Sequence, residues 1–400
     1  MKALLQKLDP LRTRAFRFLS SSTGSIISTF CAWRLVLYLV AHKAGEIAND
    51  ALPPDQPYPL ASLGNLLFRS WVHWDAAWYL SIARDGYFYR GTEEQSSVAF
   101  FPLFPMLMRG VSKAFPFIDG DDALIVSGML LSNICFLLCL LLIHRLMKQL
   151  FAEHPQSDIM AKGAVFALML FPSSVFFVSP YSESVFLLMV LLSFYALEKG
   201  NWLLAGICGA FAALGRLHGV TLVIPLAIEF LRRYRKTRKN LWQILYLGII
   251  PLGIIAYMVY LNWRFDEPMA FLRAMSAPHW ERTPRAPWLS YIEGIQLFLM
   301  HPNNVYALEQ VLYATLFIGL IVLSFRVLPP GYAIYGLIGL LLPLSTNLVS
   351  IQRYVLAIFP GFMVLGYLSR YRFVRSALPP LFGILQGVSV VFWMNAYWIG

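Results

Sequence analysis

Apolar runs long enough to cross a bilayer recur along this chain, at 24–42, 123–143, 162–179, 182–197, 241–262, 305–325, 331–349, 354–369 and 377–398. Such runs leave few folds open. Inside hydrocarbon every backbone N–H and C=O must find a partner within the protein, so spans of this length are helices. Composition agrees: 58% of residues are hydrophobic and 13% charged, against about 25% charged in soluble domains. No room is left for a large soluble domain, and no internal repeat is visible. The expected fold is one all-α integral membrane domain over 1–400.

Charge orients the spans. The net charge of +11 sits mostly in short loops beside apolar runs, which is the positive-inside pattern and not a nucleic-acid surface. Lys2, Lys7, Arg12, Arg14 and Arg17, set against Asp9, place the N-terminus in the cytoplasm. No small-residue cleavage site follows the first run, so it reads as a retained span. Residues 44–122 then form a first far-side loop. Its apolar pieces 74–83 and 98–108 are too short to cross and read as interfacial helices. A second far-side loop covers 263–304. The stretch 202–230 is interrupted at 215–219. A single crossing there would put the run Arg232–Lys239 on the far side, whereas two half-helices that enter and return keep it inside. Arg370, Arg372 and Arg375 fall on the cytoplasmic side. The count is about eleven membrane helices, broken pair included. Cys31, Cys135, Cys139 and Cys208 lie in apolar segments without a CxxC pair, so neither a disulfide nor a zinc site is indicated.

Candidate chemistry concentrates at 73–105. Asp75 stands between Trp74 and Trp78 just past a span. An acceptor-only carboxylate there suits a base for a sugar hydroxyl; the alternative is a cap for a helix over 76–84. His73 either assists it or is structural, and Trp74 suits the headgroup level. Arg216 and His218 fall at the interruption within the membrane. A cation there costs ~2.5–3.5 kcal/mol, and such residues mark substrate paths. Guanidinium matches a lipid phosphate; the alternative for Arg216 is an ion pair with Glu183. Glu183 either binds a sugar hydroxyl, pairs with Arg216 or caps the helix that follows. Arg353, between Gln352 and Tyr354, is a second phosphate cation or a snorkelling anchor. In the second far-side loop Trp280 suits a sugar ring and Arg282 a phosphate, against the alternative of a solvated loop. Arg34 is an intramembrane charge without an evident partner. No Gly-rich nucleotide loop, Walker motif, GxSxG or HExxH occurs, so a transferred group would come from a lipid carrier, with no cofactor. The alternative class is a transporter or flippase of a lipid-linked sugar, which the broken helix suits but the missing repeat does not. A third reading is a scaffold subunit, in which Asp75 and Arg216 are incidental ion pairs.

His73-Trp74-Asp75-Ala76, Ile82-Ala83, Gly86-Tyr87 and Ala99-Phe100-Phe101-Pro102-Leu103 with Pro105 resemble the signature of the PIG-V family. These are GPI mannosyltransferase 2-like enzymes of the GT-C superfamily. Pro172–Phe186 looks like the family's Pro-then-YSES element, Gly215–Gly219 like its Arg-x-Asn-Gly element, and Arg353-Tyr354 with Phe359-Pro360 like its Arg-Tyr…Pro element. The resemblance implies a GT-C fold and inverting transfer of mannose from a polyprenyl (dolichyl-type) phosphate to a lipid-linked or glycolipid acceptor. It implies Asp75 as the base and Arg216 and Arg353 on the donor phosphate. His73, Trp74, Glu183, His218 and Trp280 are left for sugar or acceptor. No metal is demanded. Two departures stand out. Arg90 occupies the place where many members carry an acid, with Glu93 and Glu94 in a longer insertion. His218 replaces the family's Asn, which bears on the acceptor. The chain is compact for a GPI-pathway enzyme, which fits a bacterial relative in the inner membrane; a eukaryotic member would sit in the endoplasmic reticulum membrane.

Overall fold

A computed structural model describes residues 21–49, 64, 67–118, 120–238, 240–278, 280 and 282–399. The basic N-terminal stretch that orients the chain, most of 50–66, Lys239, His279 and Glu281 lie outside the described residues. All regular structure among the described residues is helical.

Among the described residues five helices are long and apolar enough to cross a membrane: Ser22–Gly45, Gly120–Leu150, Leu241–Phe265, Val305–Val327 and Arg372–Met394. A sixth candidate is the pair Ile351–Ala357 and Phe359–Leu368, bent by 79°. The runs expected at 162–179, 182–197 and 331–349 form shorter helices, Ser157–Met169, Glu183–Glu198 and Pro330–Leu344. Pro172 sets the first stop, because it opens a 3-10 turn after Leu170. Glu183–Glu198 is buried along most of its length, so its apolar character answers to neighbouring helices and not to lipid.

The interruption at 215–219 takes the form that the charge pattern predicts. Trp202–Gly215 starts on an Asn201 cap, whose Oδ1 accepts from Leu204 N at 3.0 Å. The helix ends at Arg216, which is fully extended (φ −158°, ψ 147°). The 3-10 turn Leu217–Leu222 then folds back so closely that a Cβ on Gly219 would lie 2.4 Å from the Ala212 carbonyl oxygen. Trp202 and Phe230 meet ring to ring at 4.6 Å, and Arg233 donates to the Leu197 carbonyl at 2.8 Å. Both ends of this hairpin therefore lie beside the end of Glu183–Glu198. Glu198 also accepts from Tyr332 at 3.0 Å, and Glu229 from the Gly331 amide at 2.8 Å. These contacts gather one end of the bundle, and the Arg216 turn sits at the other.

The two pieces expected at the interface, 74–83 and 98–108, are the helices Asp75–Asp85 and Leu103–Ser112, the second preceded by a 3-10 turn at Ser97–Ala99. Ala76, Tyr79, Ile82, Phe104 and Met108 seat them in the core. Gly86 ends the first helix with φ 87°, a conformation that glycine adopts without strain. At its start Trp74 holds φ 46°, which costs a non-glycine residue on the order of 1–3 kcal/mol.

Small residues set the helix spacing, as they do where no hydrophobic gain drives helices together. A Cβ on Gly253 would sit 2.0 Å from the Ala210 carbonyl oxygen. One on Gly206 would sit 2.2 Å from the Tyr246 carbonyl oxygen, whereas Gly248 has open space around it. Gly253→Val is expected to lower the thermal unfolding midpoint in detergent, by the equivalent of about 1–3 kcal/mol. Gly248→Ala, on the same segment, should leave it within about 0.5 kcal/mol.

Candidate active site

Two guanidiniums of the site depend on a carboxylate that the site's surface does not show. Glu183 is the first residue of its helix, with a side chain 2% exposed. Its Oε1 accepts from Arg216 Nη2 and from Arg353 Nε. Arg353 Nη1 in turn reaches Asp75 Oδ2. Four charges thus form one chain, Asp75–Arg353–Glu183–Arg216, drawn from four separate segments. Burying such groups singly is prohibitive; burying them paired and hydrogen-bonded is not. Arg216 also donates through Nε to Ser182 Oγ at 3.1 Å, and Ser182 Oγ meets the Tyr79 hydroxyl at 2.7 Å. Tyr79 lies one helical turn past Asp75, so this bond ties the helix of Asp75 to the turn that carries Glu183. Arg353 lies over Tyr181 and Phe176, 4.8 and 5.4 Å from the ring centroids. Its segment is held by Ser173 Oγ, which donates to the Gln352 carbonyl at 2.6 Å.

The chain of charges forms one side of a cavity of about 560 Å³. Asp75, Arg216 and Arg353 line it, as do Trp74, His218 and Trp280. The structure thus brings six of the eight residues singled out in the sequence to one wall, which counts against the scaffold reading of Asp75 and Arg216 as scattered ion pairs. The other two lie elsewhere. Glu183 is beneath the wall, committed to both arginines, so the alternative of an ion pair describes it and a direct sugar contact does not. It does not cap its helix through its side chain either. His73 packs its ring on Trp74 and Trp393, with centroids at 5.1 and 5.5 Å, and its carbonyl accepts from Tyr181 at 2.7 Å. Burial pushes its imidazole below the usual histidine range, against a backbone bond at Ser70 that raises it. His73 supports Trp74 and does not line the cavity.

Asp75 is not a cap in the usual sense. It is the first residue of its helix, the residue before it is Trp74, and no side chain caps that end. Its direction is set by packing: Trp74 meets Trp393 at 5.0 Å and Trp398 at 5.1 Å. Trp78 stacks on Phe100 at 5.6 Å and meets Trp280 at 5.9 Å. The contact of Trp78 with Trp280 joins the segments 67–118 and 266–304 over the cavity. His218 packs edge-on against Phe186 at 4.7 Å. Sequence reasoning missed the contribution of Tyr79 and Ser182, and of Trp398, which lines the cavity. A tyrosine one turn past the key carboxylate was the available signal. Arg34, left unassigned by sequence, lies over the rings of Tyr38 and Trp71 at 4.4 and 4.9 Å. Its two Nη atoms have no hydrogen-bond partner among the described residues, so aromatic faces take the place of a counter-ion.

The family described as Mannosyltransferase (PIG-V) matches residues 30–246. GPI mannosyltransferase 2 of Yarrowia lipolytica is 24% identical over 238 residues, covering 58% of this chain and 62% of that protein. GPI alpha-1,6-mannosyltransferase 2 of Rattus norvegicus is 29% identical over 181 residues, covering 44% of this chain and 35% of its own. The Mus musculus protein of the same name is 30% identical over 220 residues, covering 53% and 41%. The match thus spans less than two thirds of each of these relatives. Among solved structures, ArnT from Cupriavidus metallidurans bound to undecaprenyl phosphate aligns with a TM-score of 0.51 at 12% identity, over 94% of this chain and 77% of that one. That likeness shows a shared fold.

Removing the buried carboxylate strands two cations. Glu183→Gln is expected to cost about 3–5 kcal/mol of stability, read as a lowered unfolding midpoint. Arg84→Gln breaks an exposed pair with Asp121 and should cost at most about 1 kcal/mol.

Proposed function

The chain belongs to the PIG-V mannosyltransferase family, and from that membership we propose that it is an integral-membrane enzyme that moves mannose from a polyprenyl phosphate to a lipid-linked or glycolipid acceptor. The single observation that carries this reading is the cavity wall that sets Asp75 beside Arg353 and Arg216 among tryptophans. A carboxylate supplies the base, guanidiniums supply charge for a phosphate, and aromatic faces suit a sugar. The names of the curated relatives support mannose. The undecaprenyl phosphate bound to ArnT supports a polyprenyl carrier.

In the proposed reaction Asp75 takes the proton of an acceptor hydroxyl. The acceptor oxygen bonds to the anomeric carbon from the face opposite the phosphate. The carbon–oxygen bond to the phosphate breaks, and its electron pair leaves with the lipid phosphate. One displacement inverts the anomeric centre and needs no protein nucleophile. Cations near the phosphate stabilise the charge that develops on the leaving group. Trp74, His218 and Trp280 are then the contacts for sugar or acceptor. His218, standing where the family has Asn, is where the acceptor is read differently.

The site is proposed to face the extracytoplasmic side. Its support is that the Arg216 turn lies at the end of the bundle opposite Arg233 and Glu198, while the basic run Arg232–Arg238 belongs inside by charge. The N-terminus is then cytoplasmic. A second reading, a flippase for a lipid-linked sugar, draws on the hairpin broken at Arg216.

Purified protein in nanodiscs, given radiolabelled polyprenyl-phosphate-mannose and a lipid extract as acceptor, is expected to form labelled glycolipid. Asp75→Asn should lower the rate by about 10²–10⁴ while retaining the wild-type elution profile. Full activity in that variant would remove Asp75 as the base. Lipid flipping without transfer in the wild type would favour the transporter.

A further inference from the structure

The two arginines that the family resemblance offers for a donor phosphate are already committed. Arg216 is held by Glu183, and Arg353 by Glu183 and Asp75. A third guanidinium lines the same cavity, that of Arg282. The geometry points to Arg282 as the primary anchor for the phosphate of the lipid donor, a role that rests on the transferase function proposed above.

The argument starts from what holds Arg282. Its Nη1 donates to Thr346 Oγ1 at 3.3 Å and its Nη2 to the Val349 carbonyl at 3.2 Å. Its guanidinium lies over the Tyr354 ring, 5.0 Å from the centroid. Its backbone amide donates to the Met275 carbonyl at 3.0 Å. The side chain is therefore positioned, half-buried, by neutral groups alone. Its neighbours differ. Arg273 pairs with Glu267 at 2.9 Å and Arg285 pairs with Glu293. Among the described residues Arg282 has no carboxylate partner, and Asp75 is the only carboxylate on the cavity wall.

Charge counting gives the ligand class. Among the described residues the cavity and the floor beneath it hold three guanidiniums, Arg216, Arg282 and Arg353, and two carboxylates, Asp75 and Glu183. With histidine neutral, the excess is one positive charge. A sugar esterified to a polyprenyl phosphate is a phosphodiester and carries one negative charge, so it fills the deficit without displacing either ion pair. Transfer then moves charge within the closed set. The acceptor proton passes to Asp75, whose carboxylate becomes neutral and loosens its hold on Arg353. The phosphate leaves as a monoester that takes up a second negative charge, with a second pKa of about 6. The same proton weakens the bond from Arg353 Nη1 to Asp75 while Glu183 keeps hold of Nε, so that Nη1 is the group to meet the new charge. Arg282 binds the donor, and Arg353 answers the leaving group.

The experiment is equilibrium binding of a polyprenyl monophosphate, and separately of the uncharged polyprenol, to purified full-length protein. Wild type, Arg282→Gln, Arg282→Lys and Arg353→Gln are compared. Wild type is expected to bind the phosphate saturably and the polyprenol far more weakly. Arg282→Gln should raise the Kd about tenfold or more, as loss of a charge-assisted contact does, and Arg282→Lys should recover part of it. In transfer assays Arg282→Gln should raise the KM for donor while leaving that for acceptor unchanged, whereas Arg353→Gln should act chiefly on kcat. An unaltered Kd in Arg282→Gln overturns the assignment, as does a wild type that binds phosphate and polyprenol alike. Binding is scored independently of transfer. A protein that binds through Arg282 without transferring mannose would reject the proposed reaction and keep the phosphate site.

Discussion

One buried carboxylate oxygen, Glu183 Oε1, accepts from two guanidiniums, and the arrangement of the site follows from that double bond. Two like charges drawn to one point would repel if the carboxylate were absent; with it, they hold three distant segments in register. Asp75 gains its direction through Arg353, and the Arg216 turn is pinned at the tip of its hairpin. The Tyr79–Ser182 bond repeats the same connection with neutral groups. The site is therefore braced twice, once by charge and once by hydroxyls. The braces lie behind the cavity wall, where a substrate does not disturb them.

Surrounding this brace is a protein stabilised by different means at its two ends. At the end away from the cavity, Glu198 and Glu229 meet Arg233, Arg232, Tyr332 and a helix amide. At the cavity end aromatic rings take over, linking the segment around Trp74 and Trp78 to Trp280 and to the helix Arg372–Met394. Between the ends, close approach at Gly206, Gly253 and Gly366 replaces the hydrophobic force that lipid abolishes. Polar groups occur where they have partners, and tight apolar packing fills the rest.

Much of this architecture was legible in the sequence, because hydropathy adds up residue by residue and needs no knowledge of neighbours. The long spans and the hairpin at Gly215–Gly219 belong to that class; the hairpin was readable because the basic run after it had to stay on one side. The pairing was not legible. Arg353 and Asp75 are 278 positions apart, and Arg353 and Glu183 are 170 apart. Nothing local distinguishes an arginine that will meet a carboxylate from one left for a ligand. For the same reason the sequence offered phosphate to Arg216, Arg353 and Arg282 alike, the last against the alternative of a solvated loop, and could not tell which of them was already paired. Arg34 shows the converse: Tyr38, one helical turn on, was visible, but Trp71 was not.

The strained Trp74 bears on when the protein becomes competent. Its left-handed backbone has no local support; what holds it is contact with Trp393 and Trp398, on the helix Arg372–Met394 and just past it. The same helix reaches back to the first, where Trp33 Nε1 donates to Gln386 Oε1 at 2.8 Å. Asp75 stands far ahead of that helix in the chain, so its seat is complete only when Arg372–Met394 has folded against Ser22–Asn49. A chain can therefore carry every motif around Asp75 and still lack its positioned carboxylate, because the contacts that position it come from a helix far along the sequence.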